Sequence, residues 1–148
     1  MTQIWPPETL PATVHATAVS LSSKSVLILG ESGRGKSSFA FQLLAMGGHL
    51  ISDDLVLLTA KADHILTAHP RGPVRDVQIE ARGLGILTLP AGNASRLGVI
   101  VDLNETETDR LPEPDTSVIA GHAIRRLKAV DNPAFPAMVH QYLLHAVP

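Results

Sequence analysis

The segment Gly30-Glu31-Ser32-Gly33-Arg34-Gly35-Lys36-Ser37 constrains this chain more than any other feature, because it fits G-x-x-x-x-G-K-[ST] at every fixed position. The flanks agree with it. Ser25 to Leu29 is a short continuous apolar run, the mark of a strand buried on both faces. Ser37 to Met46 predicts a helix, which Gly47-Gly48 stops. Glycines let the chain curl so that successive backbone N–H groups point into one concavity, and the following helix adds its positive N-terminal dipole there. Lys36 supplies a point charge for the β- and γ-phosphates, and the Ser37 hydroxyl a ligand for Mg²⁺. A chance match in a chain of this length is roughly one in a few hundred. The segment therefore predicts a nucleoside triphosphate site with Mg²⁺.

The remaining pattern places this unit in a mixed α/β sheet. The 148 residues amount to a single domain, 1–148, whose first part, 1–12, is irregular around Pro6, Pro7 and Pro11. Val14 to Leu21 reads as a strand, and Ser22-Ser23-Lys24 as a turn. His49 to Ser52 leads into another strand, returning beside the P-loop strand. Leu55 to Ala60 and His64 to Ala68 read as a hairpin around Lys61-Ala62-Asp63. Pro70 to Pro73 is a loop, and Gly83 and Gly85 break Val77 to Leu89. Leu97 to Leu103 is a strand, Glu105 to Ser117 a polar loop, Val118 to Val130 one or two short strands, and Pro133 to Val147 a C-terminal helix with Pro136 in its first turn.

Composition excludes several classes. A formal net charge of -2 makes a nucleic-acid backbone an unfavourable partner. With no cysteine there is no disulfide, thiolate catalysis or Cys-ligated zinc, and the histidines lack metal spacing. No apolar run reaches membrane-spanning length and no signal peptide is visible, so a soluble, cytoplasmic protein is expected. The six acids and one base of Asp102 to Asp115, and the cluster Arg125, Arg126 and Lys128, read as solvated surface.

Asp53-Asp54 is the second candidate site. Phosphoryl transfer needs one carboxylate for Mg²⁺ and another to accept the proton of an attacking hydroxyl. Neighbours on an extended strand point opposite ways, so this pair must sit at a bend if both face a phosphate. His15, in the preceding strand, is placed to tune such a base. Glu80 and Arg82, before Gly83-Leu84-Gly85, are candidates to line the site.

Together these residues resemble a known family. His15, the P-loop from Gly30 to Ser37, Ile51-Ser52-Asp53-Asp54, and Ile79-Glu80-Ala81-Arg82-Gly83-Leu84-Gly85-Ile86 resemble, in order and spacing, the catalytic domain of bacterial HPr kinase/phosphorylase. The resemblance covers about His15 to Ile86, roughly half the chain. It implies a P-loop fold like that of phosphoenolpyruvate carboxykinase. It implies ATP- and Mg²⁺-dependent phosphorylation of a serine on HPr, the phosphocarrier of the sugar phosphotransferase system, with phosphorolysis in some members. By position, Asp53 would be the base and, in reverse, the acid. Asp54 and Ser37 would serve Mg²⁺, His15 would pair with the carboxylates, and Glu80 and Arg82 would lie around the site. A homo-oligomer, commonly a hexamer, is implied. Larger members carry an N-terminal domain, so this chain resembles the short proteobacterial form. The P-loop residues through Ser38 would contact nucleotide, although the family usually has an acidic residue at the position of Ser38. The family's later "PVRPGRN"-like loop has no recognisable counterpart. Two alternatives stay open: a nucleotide-sensing module with little turnover, and a kinase in this fold acting on a different substrate.

Overall fold

The structure, a computed structural model, describes residues 5–145. Its order is β1 (Ala12–His15), β2 (Thr17–Leu21), β3 (Lys24–Leu29), α1 (Lys36–Ala45), β4 (His49–Ser52), β5 (Leu55–Ala60), β6 (Ile65–Ala68), β7 (Asp76–Ala81), β8 (Gly85–Pro90), β9 (Ser95–Thr106), β10 (Asp115–Ile119), β11 (His122–Ala129) and α2 (Phe135–His145). The main sheet runs β1-β5-β6-β9-β3-β2-β4, with β11 also on β9 and β10 on β11. β3 and β9 are parallel, as are β9 and β11, while the other pairs are antiparallel. The expected mixed sheet is therefore present.

β3 is buried on both faces, as its apolar run requires. Val26 and Ile28 join Phe39 and Leu43 of α1 and Val139 and Leu143 of α2 in one core, while Leu27 joins Val14, Val56, Leu58 and Ile100 in a second. Alternation along the strand sends successive side chains to opposite faces, and this is the physical origin of the two cores. Phe39 and Phe135 meet edge to face, with ring centroids 5.4 Å apart. Gly98 lets α2 approach the sheet, because a Cβ there would lie 2.5 Å from Leu143 Cδ1.

The strand expected over Val14 to Leu21 is in fact two. It breaks at Ala16, and the two halves take different partners: β1 pairs with β5, β2 with β3 and β4. The chain between β4 and β5 makes the same passage at Asp53-Asp54. Two successive strands at one side of the sheet order are thus joined, over one or two residues, to strands at the other, so the sheet curls over the second core. β4 is not the immediate neighbour of the P-loop strand: β2 lies between them. β9 outruns the expected Leu97–Leu103 and shortens the polar loop, because Lys128 and Ala129 of β11 pair with Asp102 and Thr106. Val118 to Val130 resolves into the β10–β11 hairpin, which starts at Asp115. Val77 to Leu89 is a separate hairpin, β7–β8, whose buried Val77 and Ile79 pack on the first core. Its turn needs left-handed backbone at Gly83 (φ 92°). The expected C-terminal helix is α2, with Pro136 in its first turn. Residues 146 and 147 of that expectation, and residues 1–4 of the irregular start, lie outside the described residues. No helix among the described residues is long and apolar enough to cross a membrane.

Candidate functional site

β3 ends at Leu29, and the chain curls over Gly30 to Gly35 into α1. Gly33 and Gly35 have φ of 88° and 95°, in the left-handed region that favours glycine. Gly30 is a matter of space: a Cβ there would meet those of Arg34 and Leu103, each at 3.2 Å. Gly35 caps α1 without a side-chain hydrogen bond, and no acidic residue stands in the first turn. The helix thus presents its first N–H groups and its positive end to the loop, an arrangement suited to an anion. Lys36 Nζ donates to the Gly30 carbonyl, and the Arg34 N–H donates to the Glu31 carbonyl at 3.0 Å.

The outer side of the loop is fastened to β9. The Glu31 N–H donates to Asn104 Oδ1 at 2.8 Å, and the Asn104 N–H to Asp102 Oδ1 at 3.0 Å. Arg126 of β11 donates to Asp102 Oδ2 at 2.9 Å and also pairs with Glu105 and Asp115 at 2.9 and 2.8 Å. Burial works against the charge on Arg126, but hydrogen bonds to Glu105, Asp102 and Asp115 outweigh it and hold its pKa above the ordinary guanidinium value. Two surface assignments are corrected here. Asp102 and Arg126 are not solvated surface but a largely buried pair, with side chains 12% and 13% exposed. Arg125 lies 5.9 Å from the Tyr142 ring centroid. Asp102 and Asn104 carried one signal that was missed: a parallel neighbour of the P-loop strand must end beside the loop, and these residues close the apolar core of β9.

A cavity of about 630 Å³ opens beside the P-loop. One wall is Ser32, Gly33, Gly35, Lys36, Ser37 and Ser38, and the other is the β7–β8 hairpin with Glu80, Ala81, Arg82 and Leu84. Phe41 and Leu87 complete the lining. The structure thus brings Glu80 and Arg82 to the P-loop.

His15, Asp53 and Asp54 do not line that cavity; they gather at the joint where the sheet curls. Strand register puts the joint at the P-loop end of the sheet, since Thr17 lies opposite Ile28 and Ala18 opposite Ser52. Two strand spacings, roughly 10 Å, separate β3 from β4. The bend that two adjacent carboxylates need is present. Asp54 has φ 72°, and the Leu55 N–H donates to the Asp53 carbonyl at 2.9 Å, closing a turn around it. The Ala16 N–H donates to the Asp54 carbonyl at 3.2 Å, tying this turn to the break between β1 and β2. The buried Thr17 hydroxyl donates to Asp53 Oδ1 at 2.8 Å. His15 Nδ1 stands 3.7 Å from Asp54 Oδ1, and both side chains are largely exposed. Thr17 is a further residue not singled out from sequence.

As donors, Ser37 and Asp54 are hard oxygen ligands of the kind Mg²⁺ takes. Among the described residues no group of three or more His, Cys, Asp or Glu side chains is placed to hold a metal ion.

Comparison with known proteins gives a consistent result. The family model described as HPr Serine kinase C-terminal domain matches residues 9–118. An HPr kinase/phosphorylase of Bordetella pertussis is 35% identical over 127 residues, covering 78% of this chain and 41% of the relative. One from Chlorobium limicola is 32% identical over 108 residues, covering 66% and 33%. The chain therefore spans about two fifths of the first of these relatives and a third of the second. Among solved structures, the Hpr(Ser) kinase/phosphatase from Coxiella burnetii superposes with a TM-score of 0.72 at 20% identity, covering 91% of this chain and 90% of that one, and thereby shares the fold.

Proposed function

Since this chain belongs to the HPr serine kinase C-terminal domain family, we propose that it uses ATP and Mg²⁺ to phosphorylate a serine on an HPr-like phosphocarrier protein of the phosphotransferase system. The observation that supports this reading is that strand register brings two complementary groups to the same end of the sheet: the phosphate cradle of Gly30 to Ser37, and, two strands away, the Asp53-Asp54 turn.

The N–H groups of the loop and the first turn of α1, with Lys36, bind the phosphates and neutralise charge as it develops. Ser37 and Asp54 would hold Mg²⁺, which would neutralise charge developing on the transferring phosphoryl group. Asp53, oriented by Thr17, accepts the proton of the serine hydroxyl as its oxygen attacks the γ-phosphorus in line, and the bond to the leaving β-phosphate oxygen breaks. In the reverse direction Asp53 returns that proton to the serine oxygen. His15 flanks Asp54, its Nδ1 3.7 Å from Asp54 Oδ1. Glu80 and Arg82 line the opposite wall of the nucleotide cavity. Phosphorolysis, a cytoplasmic setting and a homo-oligomer, up to a hexamer, belong to the same reading.

A second reading, a nucleotide-sensing module with little turnover, is favoured by two particulars. Ser38 stands where the family usually has an acidic residue, and Ile124-Arg125-Arg126-Leu127-Lys128 is regular strand in β11, not the family's later loop. A direct test is to incubate the purified protein with ATP, Mg²⁺ and the HPr-like protein encoded in the same genome, and to follow the intact mass of that protein. Gain of one phosphoryl group on a serine supports the kinase. No gain despite measurable ATP binding supports the sensor.

A further inference from the structure

We propose that the nucleobase of the bound nucleotide rests on an apolar shelf made by Phe41 of α1 with Leu84 and Leu87 of the β7–β8 hairpin, and is held there by contact alone, so that the site takes adenine and guanine nucleotides nearly equally. The inference rests on the nucleotide reading above and extends it from the phosphates to the base.

The shelf is continuous with the phosphate cradle. Phe41 follows Ser37 by four residues in α1, so both lie on one helix face, with Phe41 a turn further from the N-terminus that faces the phosphates. Both line the same cavity, whose volume of about 630 Å³ falls in the range of pockets that take a whole small molecule. A nucleotide whose phosphates sit on the loop thus has its remaining bulk directed along α1 toward the hairpin.

Three apolar side chains line that part of the cavity beside the charged Glu80 and Arg82. Phe41 and Leu87 are half-buried and pack against the first hydrophobic core, which fixes their positions. Leu84, at the hairpin turn, is 84% exposed on the same cavity. An exposed leucine and a half-buried aromatic ring on one cavity offer apolar surface to a flat ring system, and every base has a π-face to meet it.

What the lining lacks decides the selectivity. Its hydroxyls, Ser32, Ser37 and Ser38, all belong to the P-loop and first helical turn, and it has no Asn or Gln side chain. Its other polar side chains are Lys36, turned to the Gly30 carbonyl of the P-loop, and Glu80 and Arg82, which are both exposed. Discrimination of ten-thousandfold or more between close analogues requires buried groups that are left unpaired by the wrong one. Contact with apolar side chains and exposed charges gives no such penalty.

The test is calorimetric titration of the whole chain, with Mg²⁺ present, by ATP, GTP and inorganic tripolyphosphate. The wild type, Phe41→Ala and Leu84→Ser are compared. ATP and GTP should bind within about threefold of one another, no buried polar side chain lining the cavity beyond the P-loop to separate them. Phe41→Ala should weaken both by about tenfold, the scale of one lost base–aromatic contact, while tripolyphosphate binding is unchanged. Leu84→Ser, at an exposed position that the fold does not need, should weaken both nucleotides in the same sense and again spare tripolyphosphate. A preference for one base beyond about a hundredfold overturns the proposal, because it demands polar readout. Equal losses for nucleotide and tripolyphosphate, or nucleotide affinity unchanged in both variants, overturn the shelf while leaving the P-loop reading intact. Failure of the wild type to bind either tripolyphosphate or ATP overturns the nucleotide reading, and the shelf with it.

Discussion

The Thr17 hydroxyl, fully buried at the start of β2, donates a 2.8 Å hydrogen bond to Asp53 Oδ1 across the joint between the two halves of the sheet. A half-buried carboxylate on a turn has several rotamers open to it; a hydrogen bond from a rigid strand residue selects one. Thr17→Val keeps the shape and removes the donor. If the proposed transfer reaction holds, its kcat should fall about tenfold, the scale of one hydrogen bond to a charged group, with ATP affinity unchanged. Steady-state kinetics beside calorimetry read this out, and a parallel loss of ATP affinity would mean that Thr17 supports the sheet end in general.

Asp54 holds φ at 72°, a conformation that an L side chain adopts at a cost and glycine adopts freely. Asp54→Gly should therefore raise stability toward urea by about 0.5 to 1 kcal/mol while abolishing Mg²⁺-dependent transfer. Such opposed effects are the expected sign of strain kept for function. A variant that is both less stable and active would show that the strained turn has no part in the site.

Asn104 ties the outer side of the P-loop to β9 through the Glu31 N–H. The bond is at the surface, so its net worth is modest. Asn104→Ala should weaken ATP and tripolyphosphate alike, by about threefold, and leave the unfolding midpoint nearly unaltered. Loss confined to ATP would place the effect at the base, contrary to this assignment.

Arg126 carries Asp102, Glu105 and Asp115 at once. Arg126→Met removes the shared cation and leaves the largely buried Asp102 unpaired, which should cost about 2 to 3 kcal/mol in urea unfolding. Because the folded pKa of Arg126 is raised, its contribution is fully present below the ordinary guanidinium value and is lost only in strong alkali. The gap between wild type and variant should therefore persist across neutral pH, and a gap that vanished there would contradict the pairing.

The parts of this molecule that were legible from sequence are those set by local chemistry. The P-loop has fixed residue types at fixed spacing, and its flanking strand and helix follow from an apolar run and a glycine stop; they lie where expected. The hairpin of β5 and β6 followed from its polar turn in the same way. What was not legible depends on pairing at a distance. Nothing local at Ala16 announces that β1 and β2 part company there, because the break answers to β5 on one side and β3 on the other. The same holds for Asp102 and Arg126, which read as solvated charges until β11 lies parallel to β9 and sets one beside the other. Thr17 was invisible for this reason too: its role exists only once strand register sets it against Asp53.

On the proposed reading the P-loop binds nucleotide while Asp53 takes the proton from the accepting serine, so that binding and transfer rest on different residues. The measurement that tests it most directly compares wild type and Asp53→Asn for ATP affinity by calorimetry and, on the same preparations, for phosphoryl transfer to the HPr-like protein by intact mass. ATP affinity should stay within about threefold while transfer falls by about a thousandfold, within the range for losing a general base. Transfer at the wild-type rate, or ATP affinity lost together with transfer, would contradict it.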